Sequence, residues 1–215
     1  MTERFAAVLS LPGLMSAAPP GADRDAFRLA LLEDTYEVAA DMGEVTAALA
    51  LGPGEQSDVQ ACVWPGTPVL DLSASKATAA ATPDIVLGVL GGLAELGADE
   101  GVVLAPDAPD LPIMLLGKLF QALEDGDVAD VAACPAEGGG LVALASRLPA
   151  PEWLTAAGVG LDTDDALARL RAAAPSRRAL GVSPGWRRLR RREDISRLDP
   201  GLEGWEATRA LLSGR

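Results

Sequence analysis

Short apolar runs alternate with stretches of helical periodicity through most of this chain. Residues 101–105, Gly-Val-Val-Leu-Ala, form a fully apolar run of strand length between helical stretches at 85–96 and 113–123. A continuous apolar run is typical of a strand in a sheet that is covered on both faces. Strands that alternate with helices form βαβ units. The chain is therefore predicted to be an α/β protein with a mostly parallel, Rossmann-like sheet flanked by helices.

The same patterns predict the remaining elements. Asp23 precedes a helical stretch as its N-cap, and Thr82-Pro83 has the form of an N-cap followed by proline at the first helical position. Helical, extended and helical segments are predicted in turn at 162–173, 179–190 and 203–212. Strands are predicted at 3–11, 45–51, 61–64, 101–105, 128–134 and 141–145. Because no internal repeat or long linker interrupts this pattern, residues 1–215 are predicted to form one domain.

The scarcity of histidine and cysteine excludes several kinds of active site. The chain contains no histidine, which rules out Ser-His-Asp and Cys-His nucleophile systems and helical HExxH zinc sites. Its two cysteines, Cys62 and Cys134, cannot form a CxxC metal site, and we expect two free thiols rather than one disulfide. Carboxylates, hydroxyls, arginines, backbone amides or a bound metal must therefore carry the chemistry.

Charge is distributed unevenly along the chain. The net charge is −13, yet residues 169–197 hold ten arginines against two acids, a net charge of +8, so the remainder carries −21. This asymmetry predicts an anionic ligand or partner at one end and disfavours nucleic acid, whose phosphates would meet mostly carboxylates. The apolar run near the N-terminus is too short for a signal peptide and no run could span a membrane, so we expect a cytoplasmic protein.

A proline-rich loop follows the apolar run at 101–105. It reads Pro-Asp-Ala-Pro-Asp-Leu-Pro over residues 106–112, and its prolines restrict the backbone around Asp107 and Asp110. Carboxylates on a stiff loop at a strand end are a common way to hold Mg²⁺ or Mn²⁺. A turn whose aspartates cap the next helix accounts for the same pattern, and the spacing alone leaves both readings open.

Two loops resemble those of a bacterial glycosyltransferase-like family. Residues 104–112, Leu-Ala-Pro-Asp-Ala-Pro-Asp-Leu-Pro, are similar to the family's G-S-D-x-P-D-L-P loop, and residues 134–139, Cys-Pro-Ala-Glu-Gly-Gly, to its P-A-x-D-G-G-Y loop. Residues 27–35 resemble its first helix. The family is similar to arsenosugar-biosynthesis glycosyltransferases and, more distantly, to phospholactate and molybdenum-cofactor guanylyltransferases. The resemblance covers about residues 5 to 195.

The resemblance implies a GT-A fold, that of nucleotide-diphospho-sugar transferases, which binds a nucleotide-activated donor with a divalent metal. It makes Asp107 the metal-associated carboxylate, with Mg²⁺ or Mn²⁺ as the cofactor. It implies substrate contacts from Asp110 and from a second loop that contains Glu137, Gly138 and Gly139. The first loop, which contains Pro12 and Gly13, would lie against the nucleotide.

The chain also departs from the family at positions that matter. The family's first loop carries lysine and arginine that meet phosphates, whereas no cation lies between Arg4 and Arg24 in this chain. Gly138 replaces the aspartate of the D-G-G loop. Where the family has a second acidic motif, this chain has an arginine-rich stretch at 187–192. Buried phosphate charge needs a cation, so its source in this chain is an open question.

The arginine-rich stretch at 187–192 has three readings. Arg190 and Arg191 could bind substrate phosphate through bidentate contacts. The stretch could instead be a solvated surface with local ion pairs, or a docking site for an acidic protein partner. The acidic cluster at 162–165 is expected to cap the following helix rather than to bind a ligand.

Two functions from different classes follow from these observations. The first is metal-assisted glycosyl or nucleotidyl transfer from a nucleotide-activated donor, with Asp107 holding the cation. The second is a catalytically degenerate protein of the same fold that acts as a binding or scaffolding partner.

Overall fold

A seven-stranded sheet forms the centre of the molecule. The computed structural model describes residues 2–11, 18–52, 57–72, 82–124 and 129–214. The strands lie in the order β3-β2-β1-β4-β6-β5-β7 across the sheet. Their bounds are Arg4–Ser10 (β1), Thr46–Leu51 (β2), Val69–Asp71 (β3), Glu100–Leu104 (β4), Val131–Pro135 (β5), Leu141–Arg147 (β6) and Leu180–Val182 (β7).

Most of the strand pairs are parallel, as the apolar runs predicted. β1 pairs in parallel with β2 and β4, β2 with β3, and β5 with β7, whereas β6 runs antiparallel to β4 and β5. The chain moves outward from β1 through β2 to β3 and then returns to β4 on the other side of β1. The strand order therefore reverses between β1 and β4, and ligands of open α/β sheets bind at the carboxyl ends of the strands at such a point.

Six α-helices, counted over the described residues, cover the sheet or pack against a helix that does. They span Arg24–Ala40 (α1), Pro83–Glu95 (α2), Ile113–Glu124 (α3), Glu152–Ala157 (α4), Ala166–Ala173 (α5) and Glu206–Leu212 (α6). One buried cluster joins α2, α4 and α5 to one face of the sheet, and a second joins α1 and α3 to the other face. These two apolar layers explain why the sheet strands are buried on both sides. The α/β sandwich with a mostly parallel sheet is thus confirmed.

The predicted helix starts are found where the capping residues placed them. Asp23 is the N-cap of α1, and its Oδ1 accepts hydrogen bonds from the backbone amides of Asp25 and Ala26 at 2.9 and 3.1 Å. Thr82 is the N-cap of α2 with Pro83 at the first helical position, but the Thr82 hydroxyl makes no capping hydrogen bond. Proline suits this start because it lacks the amide that a cap would satisfy.

Two predicted elements were wrong. Residues 61–64 do not form a strand, because Ser57–Cys62 is a 3₁₀ helix and the third strand is Val69–Asp71. This edge strand pairs with β2 over only three residues, too short a stretch for a periodic pattern to identify. The helix predicted at 162–173 begins at Ala166, and the preceding helix α4 was missed.

Cys62 and Cys134 form no disulfide, as expected. Burial raises the pKa of the Cys134 thiol, although a hydrogen bond with Ser183 opposes the shift. Among the described residues, no helix combines the length and the apolar character that crossing a membrane requires.

Candidate functional site at the carboxyl edge of the sheet

Three segments meet at the carboxyl edge of the sheet. They are the loop after β4 (residues 105–112), the turn between β5 and β6 (residues 136–140) and the extended segment after β7. Within the last of these, we call residues 186–191 the arginine segment. Ala136 forms a parallel bridge with Trp186, and the Leu189 amide donates to the Asp107 carbonyl at 2.7 Å. The arginine segment therefore crosses the ends of β5 and β4 and reaches the proline-rich loop.

Consecutive glycines shape the turn between β5 and β6. Gly138, Gly139 and Gly140 have φ angles of +85°, +111° and +74°, which side chains rarely adopt. A Cβ on Gly140 would lie 2.5 Å from the Leu161 carbonyl oxygen, whereas one on Gly138 would meet nothing within 4 Å. The turn thus needs glycine for its backbone conformation, and at Gly140 also for a close approach. The role in substrate binding that the resemblance implies for Gly138 and Gly139 stays a prediction.

Asp107 is bound by an arginine from the arginine segment. The Arg188 Nε and Nη2 atoms donate to the two Asp107 carboxylate oxygens at 2.6 and 3.0 Å. Both side chains are almost fully enclosed, with exposed fractions of 1% for Arg188 and 0% for Asp107. This fork-to-fork geometry is among the strongest ways to pair a carboxylate in a protein. It satisfies Asp107 without any group from outside the chain.

Asp110 is paired with the preceding arginine, Arg187, which donates twice to one of its carboxylate oxygens. Its Oδ1 accepts from the Trp186 indole Nε1 at 3.1 Å, and its Oδ2 accepts from Arg187 Nε at 2.9 Å and also from Arg187 Nη2. The Arg187 guanidinium also lies 4.6 Å from the centre of the Trp186 ring, within the range of a cation–π contact. Trp186 therefore holds both the Asp110 carboxylate and the Arg187 guanidinium in place.

The other predicted substrate-binding residues lie on either side of these pairs. Arg190 is half-buried and donates from Nη1 to the Gly139 carbonyl at 2.9 Å. Arg191 is exposed, and its backbone amide donates to the Asp194 carboxylate at 2.8 Å. Glu137 forms an exposed ion pair with Arg197. The structure thus brings Arg190 to the glycine turn, whereas Arg191 and Glu137 lie at the surface.

The arginine-rich stretch is therefore not a uniform basic surface. Arg187 and Arg188 point inward and neutralise the two aspartates of the proline-rich loop. Two of its arginines are thus unavailable for docking to an acidic partner, because their charge is used inside the protein. The docking role of the stretch stays a prediction, in which Arg187 and Arg188 could take no part.

Asp162 completes the charge cluster and does not cap a helix. Its Oδ1 accepts from Arg188 Nη1 at 2.9 Å and lies 3.7 Å from Arg190 Nη2. Asp165 occupies the N-cap position of α5 but makes no side-chain capping bond, since it pairs with Arg169. The capping role predicted for the acidic cluster is corrected on this point.

Burial and neighbouring charge shift the arginine pKa values in opposite directions. Burial lowers the pKa of Arg188, but the charge and hydrogen bonds of Asp107 and Asp162 outweigh it and raise the pKa overall. Burial lowers the pKa of Arg190, and the positive charge of nearby Arg188 lowers it further. Arg188 is thus a firmly charged part of the cluster, and Arg190 lies at its edge.

A divalent metal at Asp107 does not fit this arrangement. A metal needs carboxylate oxygens that face an open position, whereas both Asp107 oxygens face the Arg188 guanidinium. Asp110 is likewise engaged through both oxygens. Mg²⁺ or Mn²⁺ could reach Asp107 only after Arg188 had left.

A separate acidic cluster lies between α1 and α6. Carboxylate oxygens of Asp34, Glu37 and Glu206 lie within 4.8 Å of one another, a spacing that could hold a cation. The two Asp34 oxygens also accept from the backbone amides of Ala207 and Thr208 at 3.0 and 2.8 Å. Burial raises the pKa of Asp34 despite those hydrogen bonds, and burial together with the charge of Asp34 raises the pKa of Glu37.

The first loop, with the predicted nucleotide contacts Pro12 and Gly13, lies outside the described residues. The neighbouring structure nevertheless places a cation at this end of the sheet. Arg28 of α1 is buried, and its Nη1 lies 3.4 Å from the hydroxyl of Ser10, the last residue of β1. Arg28 is therefore close in space to the end of β1, 18 residues earlier in the chain.

Sequence reasoning missed three of these charged residues. Arg28 was hidden in an amphipathic helix, Arg188 was one of several arginines in a row, and Asp162 was assigned to a cap. The sequence did contain one usable signal. If the two aspartates of the proline-rich loop were buried, each would need a cation as its partner. The pairing itself depends on a segment about eighty residues later in the chain.

Comparisons with known proteins support the fold. No protein-family model matches the sequence, and neither does any curated protein. The structure is similar to a protein from Desulfovibrio desulfuricans G20 provisionally assigned as a nucleotide-diphospho-sugar transferase, with a TM-score of 0.73 and 15% identity over 100% of this chain and 95% of the other.

Two further solved structures have the same fold. A CMP:2-keto-3-deoxy-manno-octonic acid synthetase, complexed with CTP, gives a TM-score of 0.60 at 11% identity and covers 99% of each chain. Rv0371c from Mycobacterium tuberculosis H37Rv, in complex with manganese, gives 0.56 at 21% identity over 99% of this chain and 98% of the other. At such identities the likeness concerns the fold alone. This chain therefore has the fold of the nucleotide-diphospho-sugar transferases and nucleotidyltransferases.

Proposed function

We propose that this protein binds a nucleoside phosphate at the carboxyl edge of its sheet, between the ends of β1 and β4. The reaction class is transfer of a glycosyl or nucleotidyl group from a nucleotide-activated substrate. The observation that carries the proposal is the buried Arg28 beside Ser10, at the point where the strand order reverses.

Arg28 is the residue that we propose to balance the phosphate charge of the substrate. A nucleotide diphosphate carries several negative charges, and the first loop contains no lysine or arginine to balance them. Arg28 lies one turn into α1 and its guanidinium reaches the end of β1. Guanidinium groups bind phosphate oxygens in a bidentate manner. Arg28 would therefore supply the positive charge against the phosphates.

The arginine segment borders the same site from the opposite side. Leu189 packs with Phe27 and Leu31 of α1 in one buried cluster. This packing places Arg28 and the half-buried Arg190 on elements that adjoin each other. A substrate held between β1 and β4 would thus meet Arg28 from α1 and the glycine turn with Arg190 from the other side.

These contacts define what the chain's residues would do in a transfer reaction. As the bond to the transferred group breaks, negative charge grows on the departing phosphate group, which is a nucleoside diphosphate in glycosyl transfer and pyrophosphate in nucleotidyl transfer. A fixed cation close to that phosphate lowers the energy of the transition state. Arg28 would serve in this way, and Arg190 with the turn at 136–140 would orient the group that is transferred. The solved synthetase complexed with CTP offers a precedent in the same fold.

A second function is favoured by one specific observation. Both aspartates of the proline-rich loop are engaged by Arg187 and Arg188, which leaves no open carboxylate there for a metal or a proton. This arrangement favours a protein that binds a nucleotide or a partner without turnover. The two functions share the binding site and differ in whether product forms.

Calorimetric titration with CTP and with UDP-, GDP- and dTDP-sugars tests the proposal, with and without Mn²⁺. The test variant is Arg28→Met, and the matched control is Arg24→Met, an exposed arginine one turn earlier on the same helix. A charged hydrogen bond to phosphate contributes about 1.5–3 kcal/mol, so Arg28→Met should weaken binding at least about tenfold. Arg24→Met should bind like the wild type.

The outcomes separate the alternatives. Binding that depends on Arg28, together with release of nucleotide from one of these donors, supports a transferase. Binding without turnover for any acceptor supports the second function. Absence of binding to every nucleotide, in a protein that circular dichroism shows to be folded, would overturn the proposal.

A further inference from the structure

The surroundings of Arg188 resemble a cation site built from oxygen atoms. In addition to its two bonds with Asp107, the guanidinium donates from Nη1 to Asp162 Oδ1 at 2.9 Å and to the carbonyl oxygens of Leu141 and Leu161 at 3.1 and 3.2 Å. Two carboxylates and two backbone carbonyls therefore converge on one positive charge. All-oxygen sets of this kind are what Mg²⁺, Mn²⁺ and Ca²⁺ prefer.

We infer that the Arg188 guanidinium takes the place of a divalent cation among these oxygen atoms. A side chain of the protein itself then supplies the positive charge of the site. Asp107, Asp162 and the two carbonyls then form a latent metal site, which the arginine closes. This inference concerns the positive charge held by Asp107 and Asp162 and does not depend on the identity of any substrate.

The arginine segment is held too firmly for Arg188 to exchange readily with a metal. The preceding residue, Arg187, is anchored to Asp110, which is itself buried. The next residue, Leu189, is buried in an apolar cluster, and its amide donates to the Asp107 carbonyl at 2.7 Å. Removal of Arg188 from the site would therefore require both neighbours to detach as well.

The charge balance also explains why a metal and Arg188 exclude each other. The two carboxylates and the Arg188 guanidinium sum to one negative charge, which Arg190 offsets at 3.7 Å from Asp162. A divalent ion added beside Arg188 would stand against a fixed positive charge at short range, with poor screening by water. Without Arg188, the two carboxylates would neutralise the divalent ion.

Counting of bound Mn²⁺ by electron paramagnetic resonance tests the inference. The series is wild type, Asp107→Asn, Arg188→Ala and the double variant Arg188→Ala/Asp107→Asn. Wild type and Asp107→Asn should bind the same number of ions, because the acidic cluster between α1 and α6 is intact in both. Arg188→Ala should bind one more Mn²⁺ per chain, and the double variant should lose it again.

A matched control and a second readout keep the test decisive. Arg169→Ala removes an arginine from an exposed ion pair and should gain no site. If Arg188→Ala is unfolded without metal, Mn²⁺ should restore its circular dichroism signal, but should not restore that of the double variant.

Two results would overturn the inference. One is a Mn²⁺ ion bound to the wild type and lost in Asp107→Asn, since Asp107 would then hold metal in the presence of Arg188. The other is a folded Arg188→Ala protein that gains no Mn²⁺. Neither result bears on nucleotide binding through Arg28, so this inference and the proposed function can fail separately.

Discussion

Replacement of Arg188 by methionine should strongly destabilise the protein. Methionine keeps an unbranched side chain but removes the guanidinium, which leaves the fully buried Asp107 carboxylate without its cation. Loss of one partner from a buried ion pair costs about 3–5 kcal/mol. Two carbonyl acceptors, on Leu141 and Leu161, also lose their donor. We therefore expect Arg188→Met to lower the free energy of unfolding by about 4 kcal/mol, or about three orders of magnitude in the unfolding equilibrium.

Urea denaturation followed by tryptophan fluorescence measures this effect, with two comparisons. Arg169→Met breaks an exposed pair with Asp165, whose side chains are 51% and 59% exposed, and should change stability by no more than about 0.5 kcal/mol. The double variant Arg188→Met/Asp107→Asn removes the stranded charge as well as its partner. It should be more stable than Arg188→Met alone, because the cost of the single change lies mainly in the unpaired carboxylate.

Either of two results would contradict the stabilising role of the Arg188–Asp107 pair. If Arg188→Met lowers the free energy of unfolding no more than Arg169→Met does, the Arg188–Asp107 pair does not stabilise the protein as its burial implies. If the effects of Arg188→Met and Asp107→Asn simply add, the two side chains do not act as a pair.

Two further predictions concern other parts of the molecule. Gly138→Ala should lower the free energy of unfolding, measured in urea, by about 1–2 kcal/mol because of its positive φ angle. Gly140→Ala should lower it at least twice as much, because a Cβ there would also meet the Leu161 carbonyl. Equal losses for the two variants would contradict this. Glu37→Gln should stabilise the protein at pH 7 and lose this advantage as the pH falls below the ordinary range of a glutamate. The native pKa of Glu37 is raised by burial and by Asp34, so the native state binds the proton more tightly and wild-type stability falls as pH rises through that raised pKa; a pH-independent gain would contradict it.

The fold was largely predictable because it depends on local patterns. The apolar run that became β4, the Asp23 cap of α1 and the Pro83 start of α2 are each set by neighbours in sequence. Short edge elements were not predictable in this way. β3 pairs over three residues, and only its contact with β2 makes it a strand.

The candidate site was likewise predictable only where it depends on residues that are close together in sequence. The sequence identified the proline-rich loop and the glycine turn, because prolines and glycines restrict or free the backbone where they stand. It assigned Asp107 to a metal, since an aspartate on a stiff loop looks the same whether it faces a metal or an arginine. The partner, Arg188, lies 81 residues later, and no local pattern links the two.

By itself, the sequence determined that this chain folds as an α/β sandwich, that histidine chemistry is excluded, and that a strongly acidic body carries one basic stretch near its end. The three-dimensional arrangement of the chain sets where those charges are used. It turned Arg187 and Arg188 inward onto Asp110 and Asp107, and it brought Arg28 to the end of β1. The physical reason is that secondary structure follows from periodicity and capping within a few residues, whereas the pairing of buried charges depends on which distant segments the sheet brings together.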